Sequence, residues 1–230
     1  MVIRVTEESQ ARIAAAIAAA EARTSGEIFC VLARQVSSYR DVSLAWAAAA
    51  ALILPLALIP FGFEAGWIPG FGAGWEAAHL AAREVSTGQA LGAYAIVQAV
   101  LFLAVYLLTR LPAVTRIVTP RAVRRARTRN AAVQQFLAHG LHVTEGRTGV
   151  LIFAALSDHQ VEVVADAGIH ARVDQSVWGD AAEALARGLK RDDAAAGFEA
   201  AVALCGEVLA AHFPPGDTNE NEVADRLVVI

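Results

Sequence analysis

Lysine is almost missing from this sequence: Lys190 is the only one, so the positive charge is carried by arginine. Cysteine is nearly as scarce. Cys30 and Cys205 make no CxxC and leave no second pair, which excludes a disulfide framework and fits a reducing compartment. Both thiols are expected to be buried, one in a strand and one in a helix. No GxSxG, Walker loop, GxGxxG or HExxH occurs, so the common signatures of hydrolases, nucleotide binding and zinc proteases are excluded. Ser157, Asp158 and His159 are adjacent in one turn and cannot form a catalytic triad by themselves. Charge is missing altogether from two long stretches, SLAWAAAAALILPLALIPFGF at Ser43–Phe63 and LGAYAIVQAVLFLAVYLLT at Leu91–Thr109.

Each uncharged stretch holds about 20 residues, which at ~1.5 Å per residue covers a hydrocarbon core of ~30 Å. Soluble helices of that length keep a polar face, and these have none, so residues 43–63 and 91–111 are expected to span a bilayer. Pro55 and Pro60 should kink the first span, and Trp46 sits where an interfacial aromatic would. Gln98, the one strongly polar side chain of either span, is expected to bond to the other helix or to a copy of itself. The loop at 64–90 is rich in glycine and aromatics and carries Glu64, Glu76 and Glu84 against Arg83. Directly after the second span come Arg110, Arg116, Arg121, Arg124, Arg125, Arg127 and Arg129, with no acid among them. The positive-inside rule places them in the cytoplasm, touching anionic headgroups at ~1 kcal/mol per residue. Both termini are then cytoplasmic, the loop faces the other side, and the location is the inner (plasma) membrane. Nucleic acid is not an expected partner, because residues 130–230 hold six basic residues against fifteen acidic ones. The start, MVIRVTEESQ, is polar and charged, so the first span rather than a cleaved signal is expected to direct insertion.

The flanking parts alternate helix and strand. A helix capped by Thr6 should run to about Arg23, with Gly26 at a left-handed C′ position. Glu27–Arg34 then reads as a strand whose core is apolar throughout, as one covered on both faces would be. Beyond the spans come a helix over Thr128–His139 ended by Gly140, and strands Val150–Leu156 and Val161–Asp166 joined in a hairpin. A helix from Gln175 to Gly188 is capped by Asp174, and a last helix opens at Asp192-Asp193 and runs to about His212. A lone helix and strand cannot bury their apolar faces, so the pieces on either side must pack together. The expected organisation is 1–42 as the first part of a cytoplasmic α/β domain, 43–111 as a transmembrane hairpin, and 112–230 as an Arg-rich tether with the rest of the domain.

Candidate chemistry is carboxylate chemistry. Asp158, Asp166, Asp174 and Asp180 fall at strand ends and the next helix, with His170 nearby, and oxygen ligands at such a rim suit Ca²⁺ or Mg²⁺. The ordinary alternative makes Asp158 a turn former, Asp174 an N-cap and Asp180 a solvated helix residue. His139, His142 and Glu145 have metal-like spacing, but Gly140 breaks the helix between the histidines. Asp217-x-Asn219-x-Asn221 imitates an EF-hand start and fails at Glu222 and Val228, where the loop geometry needs Gly and Glu.

Glu27-Ile28-Phe29 after an Ala-rich helix, Arg147-Thr148-Gly149-Val150-Leu151-Ile152, Val161 to Asp166 with Gly168-Ile169, Gly197-Phe198 and Asn221-Glu222-x-x-Asp225 together resemble the TPM domain, in its bacterial membrane branch. The likeness covers residues 1–40 and 120–230, with the hairpin as an insertion. It implies a mixed central sheet flanked by helices, and metal binding or acid-phosphatase activity. The function expected on these grounds is a membrane-anchored cytoplasmic module that binds a protein partner or a divalent cation, in the assembly or maintenance of membrane proteins. A metal-dependent acid phosphatase, with Arg147 and Arg172 as its only basic anion contacts, and a homo-oligomeric membrane scaffold are the alternatives.

Overall fold

A computed structural model describes residues 5–58, 60, 87–215 and 221–230. The loop at 64–86, with its three acids and Arg83, and the EF-hand-like positions Asp217 and Asn219 lie outside the described residues. The chain forms two compact units, residues 1–37 with 121–230 and residues 38–120. The divisions between the units fall after Ser37 and before Arg121.

The first unit is built on a four-stranded mixed sheet in the order β3-β2-β1-β4. Its strands are β1 (Glu27–Ala33), β2 (Gly149–Ala155), β3 (Gln160–Ala165) and β4 (Leu227–Val229). β1 pairs in parallel with β2, Glu27 opposite Gly149 and Ala33 opposite Ala155, and in parallel with β4. β2 pairs antiparallel with β3. Ile28, Cys30, Leu32, Val150, Ile152 and Ala154 face α1 (Glu7–Glu21), α7 (Trp178–Lys190) and α8 (Ala194–His212). The alternate residues Phe29, Val31, Leu151 and Phe153 face α5 (Arg121–Ala138), through Ala132 and Phe136. Burial on both faces is the physical reason β1 and β2 read as continuous apolar runs rather than alternating ones.

Caps fall where short polar side chains stand. Thr6 Oγ1 accepts from Ser9 N at 3.2 Å, and Asp193 Oδ1 from Ala196 N at 2.9 Å. Gly140 ends α5 at φ +74°, as a left-handed C′ residue does. Gly26 does not have that role. α1 closes on right-handed Ala22, and Gly26 is small because a Cβ there would come within 3.0 Å of Leu209 and 3.2 Å of Thr148 O.

From Arg121 on, the Arg-rich stretch is part of α5. α5 begins at Arg121, seven residues before the expected start, because arginine is a good helix former and Pro120 marks the boundary. Arg125 and Arg129 reach Glu162 of β3 at 3.7 and 3.8 Å, and Arg127 Nη1 donates to Ser37 Oγ at 2.7 Å. Both Glu162 partners are largely exposed, so these pairs contribute little. Burial outweighs them and raises the Glu162 carboxyl.

In the second unit α2 (Arg40–Leu58) packs against α3 (Thr87–Thr109), and α4 (Pro112–Val118) follows. Ser43 Oγ lies 3.4 Å from Thr109 O, so the start of α2 meets the end of α3 and the pair is antiparallel. Ala47, Ala51 and Ala93 are buried between them, while Leu52, Ile53, Leu91, Val100, Leu103 and Leu107 face outward. Trp46 Nε1 donates to Val118 O at 3.1 Å. Pro55 lies inside α2, and Pro60 falls beyond its end. α2, α3 and α8 are long and apolar enough to cross a membrane. α8, however, has Phe198, Val202, Cys205 and Leu209 fully buried in the core of the first unit.

Candidate functional site

The sheet has two chemically different rims. Parallel pairing sets the N-terminal ends of β1 and β2 side by side, so Glu27 and Gly149 share one rim. Asp166 donates its backbone N–H to Gly149 O at 2.9 Å, which puts it on the same rim two strands over, about 10 Å from Glu27 at ~4.8 Å per strand. The segment Asn221–Asp225 closes over this end. Val223 N donates to Glu27 Oε2 at 3.2 Å, Asn221 Nδ2 to Asp225 Oδ1 at 2.6 Å, and Glu145 N to Glu222 at 3.1 Å. From α1, Glu21 Oε1 accepts from Ile28 N at 2.7 Å. Four carboxylates thus converge: Glu21 and Glu27, both buried, and Glu222 and Asp225 from the tail.

That convergence has an electrostatic cost. Burial comes first among the causes that push the Glu21 carboxyl up to about 9, with the charges of Glu27 and Asp225 adding to it and the Ile28 N–H opposing. Burial likewise raises Glu27, against the N–H groups of Glu222 and Val223. Glu21 therefore carries a proton at neutral pH and is hydrogen-bonded to Asp225. All the donors are hard oxygens, the chemistry of Ca²⁺ and Mg²⁺ rather than of zinc or copper. Among the described residues no three His, Cys, Asp or Glu side chains already stand at metal-binding spacing.

The four residues expected to form one acidic rim are not gathered. Asp158 lies in the turn between β2 and β3, at the opposite end of the hairpin from Asp166. Six strand residues at ~3.3 Å each separate the two ends. Asp166 is buried and leaves β3 to cap α6 (Ala167–His170), its Oδ1 accepting from Ala167 N; its Oδ2 is buried with no hydrogen-bond partner. Asp174 is exposed and caps the turn Gln175–Val177 through Ser176 N at 2.8 Å, a bond that holds its carboxyl below the usual range. His170 is exposed, and so is Asp180 on α7. His139 packs on Phe29 with ring centroids 4.3 Å apart.

Glu21 escaped the sequence reading because it looks like one more polar residue near a helix end. The available signals were Glu27 at the head of an apolar strand and the tail Asn221-Glu222-x-x-Asp225.

Residues 112–208 match the family model described as the TPM domain. The NMR structure of BA42 protein from the psychrophilic bacteria Bizionia argentinensis sp. nov. is similar over 97% of this chain and 94% of its own, with a TM-score of 0.53 and 16% identity, a likeness of fold. No curated protein matches.

Proposed function

Because residues 112–208 match the TPM-domain family model, we propose that the chain is a membrane-anchored module whose α/β unit takes up a divalent cation of the Ca²⁺ or Mg²⁺ class. In this reading α2 and α3 cross the inner membrane, the arginines and both termini are cytoplasmic, and loop 64–90 faces the other side. The cation-loaded rim docks a protein partner in the assembly or maintenance of membrane proteins. The observation that carries the anchor is the outward apolar surface of the hairpin: Leu91 is 65%, Val100 64% and Ile53 62% exposed. A soluble protein does not leave such a continuous surface in water.

Glu21, Glu27, Glu222 and Asp225 would hold the cation, which would supply positive charge where the Glu21 carboxyl now keeps its proton. Binding must then release protons. Calorimetry of the full chain in detergent at pH 7, repeated in two buffers of different ionisation enthalpy, should show a buffer-dependent heat with Ca²⁺ or Mg²⁺. Glu27→Gln with Asp225→Asn should weaken binding at least tenfold. Binding unchanged in that double variant, or absent from the folded wild-type chain, would remove the cation from the proposal.

The same proton makes stability depend on pH. Glu21 titrates at about 9 in the folded chain and near 4.5 when unfolded. Between those values the folded state binds the extra proton, so stability falls as pH rises across the window. In Glu21→Gln the fall between pH 5 and 9 should be shallower, and the variant should melt higher than wild type at pH 9. Parallel melting curves against pH would exclude a buried, protonated Glu21.

A further inference from the structure

The opposite rim holds a cavity of about 550 Å³ lined by Arg34, Leu156, His159, Val161, Leu189 and Lys190 among others. We propose that it binds an anionic amphiphile, with a phosphate or carboxylate head at Arg34, His159 and Lys190 and the apolar body against Leu156, Val161 and Leu189. The volume falls in the ~300–1,000 Å³ range of small-molecule sites. The place is the carboxyl end of two parallel strands, where open α/β sheets bind their ligands. The floor is fixed by backbone pairing that continues past the strands, Leu156 N to Ala33 O at 2.9 Å and Ser157 N to Arg34 O at 3.2 Å. His159 is set in the β2–β3 turn at φ +50°.

Charge selects the ligand's sign. Among the described residues no Asp or Glu lines the cavity, although residues 130–230 hold fifteen acids against six bases. Lys190, the only lysine of the chain, is here, and both it and Arg34 are exposed. The walls select the body: Ala155, Leu156, Val161, Ala186 and Leu189 offer hydrocarbon and no charge. An inorganic anion would leave that apolar volume unfilled. Two sources share this chemistry, an anionic phospholipid and a soluble fatty acid. Arg34 precedes the first residue of α2, Arg40, by six residues, a reach of at most about 20 Å. On the membrane-anchored reading a headgroup is therefore within range.

The test is native mass spectrometry of the full chain released from phosphatidylcholine nanodiscs. One set of discs is doped with phosphatidylglycerol, one is given palmitate, and one is given inorganic phosphate. The expected result is one phosphatidylglycerol or one palmitate retained per chain; which of the two is retained identifies the source. Arg34→Gln with Lys190→Gln should lower occupancy about tenfold, as loss of charge-assisted bonds would. Leu189→Trp should abolish it, while Arg187→Gln, which removes only an exposed pair with Glu183, should leave it unchanged. Retention that ignores the double variant, or retention of phosphate alone, would overturn the proposal. The anchor reading is tested separately, since palmitate retention does not require the hairpin to span a bilayer.

Discussion

Replacing residues 38–120 with about eight Gly and Ser residues should move the protein from the membrane pellet to the soluble fraction with its α/β unit folded. The sheet and both of its cores are made by residues 1–37 and 121–230 alone. The two ends to be joined are close. Ser37 Oγ is 2.7 Å from Arg127 Nη1, and Arg127 lies six residues into α5, about 9 Å of helix rise from Arg121. A flexible eight-residue linker spans about 15 Å. On the proposed reading, the excised segment carries the membrane attachment. Leu44, Trp46, Leu52, Ile53, Leu54, Leu56, Leu91, Ile96, Val100, Leu103, Leu107 and Leu108 are all exposed. At roughly 1 kcal/mol for each half-exposed side chain, their transfer to lipid is favourable by about 10 kcal/mol. Fractionation with circular dichroism reads the outcome. A deletion variant that stays in the pellet after carbonate washing would locate the attachment elsewhere, and an unfolded one would show that the unit needs the hairpin.

Gly188→Ala should be the most damaging single methyl in the chain. α7 and α8 cross where Gly188 meets Gly197, and a Cβ at Gly188 would lie 2.6 Å from Gly197 N and 2.9 Å from Asp193 O. Both obstacles are backbone, so no rotamer change relieves them and the helices must move apart. Phe198 and Leu185, fully buried beside the crossing, would lose packing as they do. Overpacking of this kind costs about 3 kcal/mol or more, which for a unit of this size lowers the melting point by about 10 °C. Gly179→Ala on the same helix meets nothing within 4 Å and should be neutral or slightly stabilising, since alanine is the better helix former. Equal melting points for the two variants would show that the crossing is not tight.

The elements with strong local signals were legible in the sequence. Thr6 and Asp193 cap the helices as their side chains dictate, and Phe198, Val202, Cys205 and Leu209 line one buried face. β1 and β2 announced burial on both faces by their unbroken apolar runs. What was not legible depends on pairing across long separations. β4 is three residues after a polar tail, and only β1, almost two hundred residues earlier, makes it a strand. The arginines of α5 read as a tether because their charge suggested lipid, whereas Glu162 and Ser37, which engage three of them, are invisible until the sheet forms. The carboxylate set failed for a related reason. Asp158 and Asp166 are eight residues apart in sequence, but an antiparallel hairpin sends them to opposite ends, while Glu21 and Asp225 are brought together by the fold.

The position of β1 also sets an order of events on the ribosome. It is an inner strand of the sheet, yet β2 and β4, the two strands it pairs with, are encoded on the far side of the apolar helices. β2 is completed only at Ala155, more than a hundred residues after Ala33. At ~5–20 residues per second, β1 waits on the order of 10 s before its first neighbour exists. Throughout that interval a run of seven residues, all buried in the finished protein, has both hydrogen-bonding edges open. The apolar hairpin emerges during the same wait. Synthesis at the membrane would then separate two hazards in time, with hairpin insertion first and strand pairing after it. Slowed insertion would expose the nascent chain to aggregation through β1 rather than through the hairpin alone.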